Sequence, residues 1–127
     1  MNKEIVKYQF PYTFEHIEKK GWGKELWVTN NEQYCGKILE FEQGKKCSFH
    51  KHSKKNEHFH LLSGKMVLRV GWNASLEESQ EFLLEEGQSY HIPTGLYHQM
   101  EALTPSRLLE FSTTHYEDDS YRSVKGD

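Results

Sequence analysis

The sequence has little of what marks a secreted, membrane-bound or nucleic-acid-binding protein. It contains two cysteines, Cys35 and Cys47, which form no CxxC pair and have no histidine at zinc-finger spacing. We therefore expect reduced thiols in a cytoplasmic protein. The N-terminus has no charged-then-apolar leader pattern, and no apolar run approaches the length of a membrane span, so we expect no membrane partner. With a net charge of -3 and no basic stripe, the chain is not expected to bind nucleic acid.

Helical periodicity is also scarce, and short strands separated by turns take its place. About ten strands recur at intervals of roughly ten residues, between turns rich in glycine, proline and asparagine. This pattern is typical of an all-β antiparallel sandwich or barrel. Only Glu117–Val124 is compatible with a helix, and we expect a short one there.

A chain of 127 residues suits one domain, which we place at residues 1–127. Within residues 1–20, aromatic residues alternate from Tyr8 to Phe14, and Pro11 is incompatible with a helix. We interpret this part as an extended arm that packs across the domain or onto a second subunit. Small barrels with exposed edges commonly dimerise, so we expect a homodimer. Residues 113–127 form a C-terminal tail.

The stretch Gly44–Gly64 contains the residues on which the functional prediction depends. His50 and His52 lie two positions apart, so in a strand both imidazoles point to the same face. A short turn after His52 can bring the next strand back with Glu57 beside them. Two imidazoles and a carboxylate on one face suit a divalent metal but lack a further ligand.

A second stretch, residues 87–102, supplies that ligand through a resemblance to a known family. In the first stretch the spaced positions are Gly44, His50, His52, Glu57 and Gly64. In the second they are Gly87, Pro93, Gly95 and His98. These residues and spacings are those of the two cupin motifs, except that Ala102 replaces the asparagine that ends the second. The chain therefore resembles the cupins over residues 44–102.

The resemblance implies a small jelly-roll β-barrel that holds one divalent ion between His50, His52, Glu57 and His98. The residue chemistry agrees, because three imidazoles and a carboxylate suit Mn, Fe, Ni, Co or Zn and leave positions open for water or substrate. The alternative is a buried polar cluster that hydrogen bonds satisfy without an ion. Burying such a cluster is costly, which favours the metal.

Within the cupins, the chain is similar to type II mannose-6-phosphate isomerases and related small sugar isomerase cupins. The resemblance rests on Ser48 with residues 57–59, on residues 21–23, and on the stretches 109–111 and 117–122. That family carries glutamine where this chain has His50 and arginine where it has Lys55. The site here is richer in nitrogen, and both a free sugar and a sugar phosphate stay open as the small-molecule substrate.

The resemblance implies aldose–ketose interconversion, in which a metal polarises the carbonyl and a general base moves a proton through an enediol. Glu110 is the candidate base, because it is a carboxylate within an otherwise apolar run, which is unusual unless the residue has a function. The alternative is that its side chain faces outward into solvent. Lys37 is the second catalytic candidate, unless it is solvated on an edge strand. Lys55 and Arg122 are the candidates for substrate binding. Their alternatives are plain solubility for Lys55 and, for Arg122, fixing the tail to the barrel.

Two other functions stay open, namely an Fe(II)-dependent dioxygenase and a non-catalytic sugar-binding or regulatory cupin. The remaining histidines do not decide between them. His58 and His60 fall on the strand face opposite Glu57, so we expect them outside the metal shell. His91 either has a structural role or lines the mouth of the barrel, and the sequence identifies no partner for His115.

Overall fold

The computed structural model describes residues 10–127 and contains eleven strands there. They are β1 His16–Lys20, β2 Gly23–Asn30, β3 Cys35–Phe41, β4 Phe49–Lys51, β5 Glu57–Ser63, β6 Lys65–Gly71, β7 Gln80–Glu85, β8 Ser89–Ile92, β9 Tyr97–Ala102, β10 Ser106–Ser112 and β11 Tyr121–Val124. In this part of the chain no helix is long and apolar enough to cross a membrane. The prediction of an all-β chain is confirmed.

The strands form two antiparallel sheets. The six-stranded sheet has the order β1-β2-β3-β10-β5-β8, and the five-stranded sheet has the order β11-β4-β9-β6-β7. Many neighbours in space are distant in sequence, as where β10 lies between β3 and β5. This arrangement is the predicted jelly-roll barrel, which limits exposed sheet edges by placing two sheets face to face.

The core lies inside the barrel because alternate side chains of each strand point inward. Burial alternates along the whole of β3, and β5 and β10 show the same period of two. Apolar side chains fill much of this interior, and the rings of Trp22 and Phe41 stack with centroids 4.1 Å apart. Cys35 and Cys47 are both buried and form no disulfide.

The prediction of a short helix at Glu117–Val124 is wrong. Residues 121–124 are β11, which pairs with β4 so that Arg122 lies opposite His50. A helix this short is marginal in water, because its few hydrogen bonds do not offset the cost of forming the first turn. Pairing with β4 gives the same backbone groups partners and covers an edge that would otherwise be open.

The predicted arm lies partly outside the described residues, since Tyr8 belongs to residues 1–9. From His16 the chain forms β1, the edge strand that pairs with β2. Tyr12 donates its hydroxyl to the carbonyl oxygen of Val28 at 3.1 Å. The described end of the arm therefore packs on its own domain.

Candidate metal centre

Three histidines from the five-stranded sheet converge inside the barrel. His50 lies on β4 and is the cross-strand partner of His98 on β9, while His52 follows β4 directly. One ring nitrogen from each histidine lies within 4.8 Å of the other two. The pair of His50 and His52 is therefore joined by a third imidazole, which comes from a strand about 50 residues away in the sequence.

Backbone carbonyls fix the orientation of all three rings. The Nδ1 atoms lie 2.9 Å from the oxygen of Ser48 for His50, 2.6 Å from that of Asp119 for His52, and 3.0 Å from that of Leu96 for His98. A carbonyl oxygen only accepts, so each Nδ1 must carry the proton and donate it. Each Nε2 is then left with a lone pair, which is the form of histidine that binds metals.

Glu57 approaches this cluster from the opposite sheet, at the start of β5. Its side chain is 2% exposed, and its Oε1 lies 2.7 Å from Nε2 of His52 and 3.8 Å from Nε2 of His98. Among the described residues Oε1 accepts no hydrogen bond. A buried carboxylate oxygen facing imidazole lone pairs requires a cation or a proton between them. The residues therefore fit a divalent ion.

Burial keeps two of the three imidazoles in the neutral form. Burial, with the neighbouring histidines, holds the pKa of His50 well below its ordinary value, and burial with His52 lowers the pKa of His98 to about 3. For His52, burial opposes protonation, but the neighbouring carboxylate of Glu57 outweighs burial and raises the pKa. A neutral imidazole is the form that binds a metal, and His50 and His98 are held in it, whereas Glu57 favours the protonated form of His52.

A second polar group lines the interior of the six-stranded sheet. Glu110 on β10 is 4% exposed and lies directly opposite Lys37 on β3, which is 1% exposed. Lys55 is also buried, and its Nζ lies 2.7 Å from Oε2 of Glu110. The inward placement contradicts the alternatives of an outward Glu110, a solvated Lys37 on an edge strand and a merely solubilising Lys55. We call Glu110, Lys37 and Lys55 the ion-pair wall.

The wall is extended by two residues that the sequence did not single out. Glu25 on β2 lies 3.3 Å from Nζ of Lys37, whose ammonium group also sits 4.1 Å above the ring of Trp27. His115 Nδ1 lies 3.2 Å from Nζ of Lys55, and burial with the two lysines lowers the pKa of His115 to about 3. In the sequence, Glu25 could have been found from its position two residues before Trp27, because residues two apart in a strand share a face. His115 follows the last core strand, and nothing near it in sequence identifies its partner.

Both groups line one cavity of about 390 Å³. The metal cluster and the ion-pair wall contribute to it, and Trp22, Phe41, Phe59 and Met100 supply apolar surface. Arg122 also lines this cavity, with its side chain exposed at the rim. A cavity of this size with a few convergent polar groups is typical of a small-molecule site.

The outer face of β5 lies outside this cavity, as its parity predicts. His58 is exposed and its ring stacks on that of His91 with centroids 5.7 Å apart. His60 Nδ1 lies 2.7 Å from Oγ of Ser89. None of these three histidines belongs to the metal cluster.

Comparisons with known proteins identify the family. The family described as Cupin domain matches residues 37–112, which is more than half of the chain and includes the four candidate ligands. A putative mannose-1-phosphate guanylyltransferase of Vibrio cholerae is 31% identical over 113 residues, covering 85% of this chain and 23% of that protein. Mannose-1-phosphate guanylyltransferase RfbM of Salmonella typhimurium is 28% identical over 105 residues, covering 80% of this chain and 20% of that protein. The chain thus spans about a fifth to a quarter of the length of these relatives.

Solved structures show the same fold. The capsular polysaccharide assembling protein CapF of Staphylococcus aureus matches 91% of this chain and 33% of its own, with a TM-score of 0.77 and 20% identity. Oxalate decarboxylase of Bacillus subtilis matches 95% of this chain and 33% of its own, with a TM-score of 0.79 and 15% identity. At these identities the likeness is one of fold alone. The family match, the two-sheet barrel and the cluster inside it together show that the chain belongs to the cupin family.

Proposed function

We propose that the protein is a divalent-metal-dependent cupin that interconverts an aldose and a ketose, with a sugar or sugar phosphate as substrate. The observation that carries the proposal is the shared cavity, in which the metal cluster faces a buried wall of acid and ammonium groups. This combination offers both carbonyl polarisation and proton transfer, which an enediol mechanism needs.

His50, His52, His98 and Glu57 would hold the ion. When bound, it would polarise the carbonyl and neighbouring hydroxyl oxygens of the substrate. Without it the interior has two ammonium groups, Lys37 and Lys55, against the carboxylates of Glu25, Glu57 and Glu110. A divalent ion would add two positive charges beside these groups, which suits a reaction in which a substrate oxygen becomes negative.

Glu110 would accept the proton from the substrate carbon. Burial alone would keep it protonated, but Lys55 and Lys37 outweigh burial and lower its pKa, so the carboxylate is ionised at neutral pH. Ser112 donates its hydroxyl to Oε2 at 3.1 Å and fixes the orientation. A substrate oxygen that became negative beside Lys55 would weaken the ion pair and make Glu110 more basic.

Lys55 and Lys37 would hold the substrate oxygens. An ammonium group has three N–H donors, and among the described residues Lys55 uses two of them, on Glu110 and on the ring nitrogen of His115. The third is available to an oxygen in the cavity. Lys37 is held by Glu25 and by the ring face of Trp27. Both ammonium groups are therefore held in position before a substrate binds.

Arg122 supports a phosphorylated substrate. Its guanidinium is exposed at the rim of the cavity and can form two parallel hydrogen bonds with a phosphate. The names of the two curated relatives include mannose 1-phosphate, which makes a mannose phosphate the first substrate to test.

Two wider expectations accompany this function. The unpaired thiols of Cys35 and Cys47 support a cytoplasmic location. Ile17, Leu62 and Phe111 are each more than two-fifths exposed on strands of the six-stranded sheet. Such apolar surface supports a homodimer.

The proposal is tested by proton exchange in D2O. The protein is loaded with Mn²⁺, Fe²⁺, Co²⁺, Ni²⁺ or Zn²⁺ and incubated with mannose 6-phosphate, mannose, lyxose or fructose. We expect deuterium at C2 of at least one aldose or at C1 of fructose, detected by NMR, together with the corresponding ketose or aldose isomer. Glu110→Gln should lower that rate by roughly 10²–10⁴-fold, the usual contribution of a general base.

Glu40→Gln is the matched control, because Glu40 faces outward on β3 and pairs with Arg107 at 3.1 Å. Its exchange rate should equal that of the wild type. If no sugar takes up deuterium with any of the metals, the isomerase proposal is wrong. Oxygen consumption that depends on Fe(II) would instead support a dioxygenase.

A further inference from the structure

Asp119 in the C-terminal tail is a buried carboxylate that no lysine or arginine neutralises among the described residues. It is 2% exposed. Its Oδ1 accepts hydrogen bonds from the backbone N and the hydroxyl of Ser53 at 2.9 and 2.8 Å. Its Oδ2 accepts from the backbone N of Lys54 and of Lys55, both at 3.1 Å. One side chain thus accepts hydrogen bonds from three consecutive backbone N–H groups of the turn, and the next one, that of Asn56, donates to Oγ1 of Thr113.

That turn joins the two strands that carry metal ligands. It begins directly after His52 and ends at Asn56, directly before Glu57. Asp119 also acts through its main chain, because its carbonyl oxygen lies 2.6 Å from Nδ1 of His52. The residue therefore sets the path of the chain between two ligands and the tautomer of one of them.

The tail is fixed independently on the far side of β11. Asp127 accepts a hydrogen bond from the backbone N of Lys46 at 2.8 Å and donates its own N–H to the Lys46 oxygen at 2.8 Å. β11 itself pairs with β4, which carries His50. Removal of the Asp119 carboxylate should therefore change the turn without releasing the tail.

We infer that Asp119 is a positioning residue for the metal centre, and that the tail is consequently part of that centre. The argument rests on the metal site proposed above and concerns a residue outside the four candidate ligands. The inference differs from a general stabilising role. By holding the turn, Asp119 sets the distance between the side chains of His52 and Glu57. Metal binding depends directly on that distance, whereas overall stability does not.

The experiment compares Asp119→Asn with the wild type and with Asp118→Asn, whose carboxylate is exposed on the neighbouring residue. Binding of Mn²⁺ and Co²⁺ to the metal-free proteins is measured by calorimetry, and the Co²⁺ absorption spectrum reports the ligand geometry. Urea unfolding of the metal-free forms is followed separately. We expect Asp119→Asn to weaken metal binding by roughly 10–100-fold, as is usual for partners of metal ligands, and to alter the spectrum. Asp118→Asn should leave both unchanged.

Three results would overturn the inference, and they are distinguishable. Unchanged metal affinity and spectrum in Asp119→Asn, with or without a lower unfolding midpoint, would show a purely structural role while leaving the metal site intact. A wild-type protein that binds neither ion would exclude the metal site itself. If Asp119→Asn does not fold, Ser53→Ala decides, because it removes a single donor to Oδ1. A loss of metal affinity in Ser53→Ala, smaller than that expected for Asp119→Asn, supports the inference. An unchanged metal affinity in Ser53→Ala overturns it.

Discussion

At the scale of single residues, the candidate site shows what spacing can and cannot predict. The pair His50 and His52 was visible because strand residues two apart share a face, and Glu110 stood out as a carboxylate within apolar residues. The burial of Lys55 was not visible, since a lysine in a turn is ordinarily solvated. It is drawn inward by Glu110 and His115, which lie 55 and 60 residues away in the sequence. Partners at such separations leave no local pattern.

The ion pair of Lys55 and Glu110 gives a prediction about stability. Lys55→Met leaves the buried Glu110 charge without its nearest partner, and removing one member of a buried pair costs about 3–5 kcal/mol. We expect a loss of this size in the free energy of unfolding, measured by urea denaturation at pH 7. The double variant Lys55→Met/Glu110→Leu should recover most of it, because no uncompensated charge remains.

The pH dependence of this effect has a defined sign. The pKa of Glu110 is lower in the folded protein than its ordinary value of 4.5, despite burial, because of Lys55 and Lys37. The pair therefore contributes fully above pH 4.5, and its contribution decreases as the pH falls below that value. The difference in free energy of unfolding between the wild type and Lys55→Met should shrink in the same range. A difference that does not change between pH 7 and pH 3 would contradict the assignment.

At the scale of strands, the period of two predicted which face of the sheet each side chain occupies. It correctly separated the inner residues of β5, Glu57 and Phe59, from the outer ones, His58 and His60. It failed at the tail, where charged residues within 117–124 were compatible with a helix. The edge of β4, which lies about 70 residues earlier, determines the outcome there. Local preference is weak in so short a segment, and tertiary pairing overrides it.

Strand parity yields the second prediction, on metal binding. His98→Ala removes a candidate ligand from β9 and should reduce bound metal to background, measured by elemental analysis after gel filtration. His60→Ala changes the same residue type on the outer face of β5 and should retain one ion per chain. Metal loss in the His60 variant would mean that the faces of β5 are reversed in solution.

At the scale of the whole molecule, the candidate metal site joins the two sheets. Glu57 belongs to the six-stranded sheet, whereas His50 and His98 belong to the five-stranded sheet. The sequence predicted both motifs and the barrel, because the cupin spacings require that strands far apart in the chain meet. It did not predict which strands form each sheet. That pairing depends on the complementary packing of the inner faces, for which no single segment carries a signal.

This cross-sheet position predicts that the metal stabilises the barrel. An ion that binds only the folded chain adds RT ln(1 + [L]/Kd), about 2.7 kcal/mol at a free concentration 100 times Kd. For a domain of this size that increment should raise the Tm by roughly 10 °C, measured by calorimetry with Mn²⁺ or Zn²⁺ against the EDTA-treated protein. His98→Ala serves as the control, and its Tm should be the same with and without the ion. If the wild-type Tm is equally insensitive to EDTA and to added metal, the four residues do not hold an ion between the sheets. The pairing of Glu57 with His52 would then have to be satisfied by a proton alone.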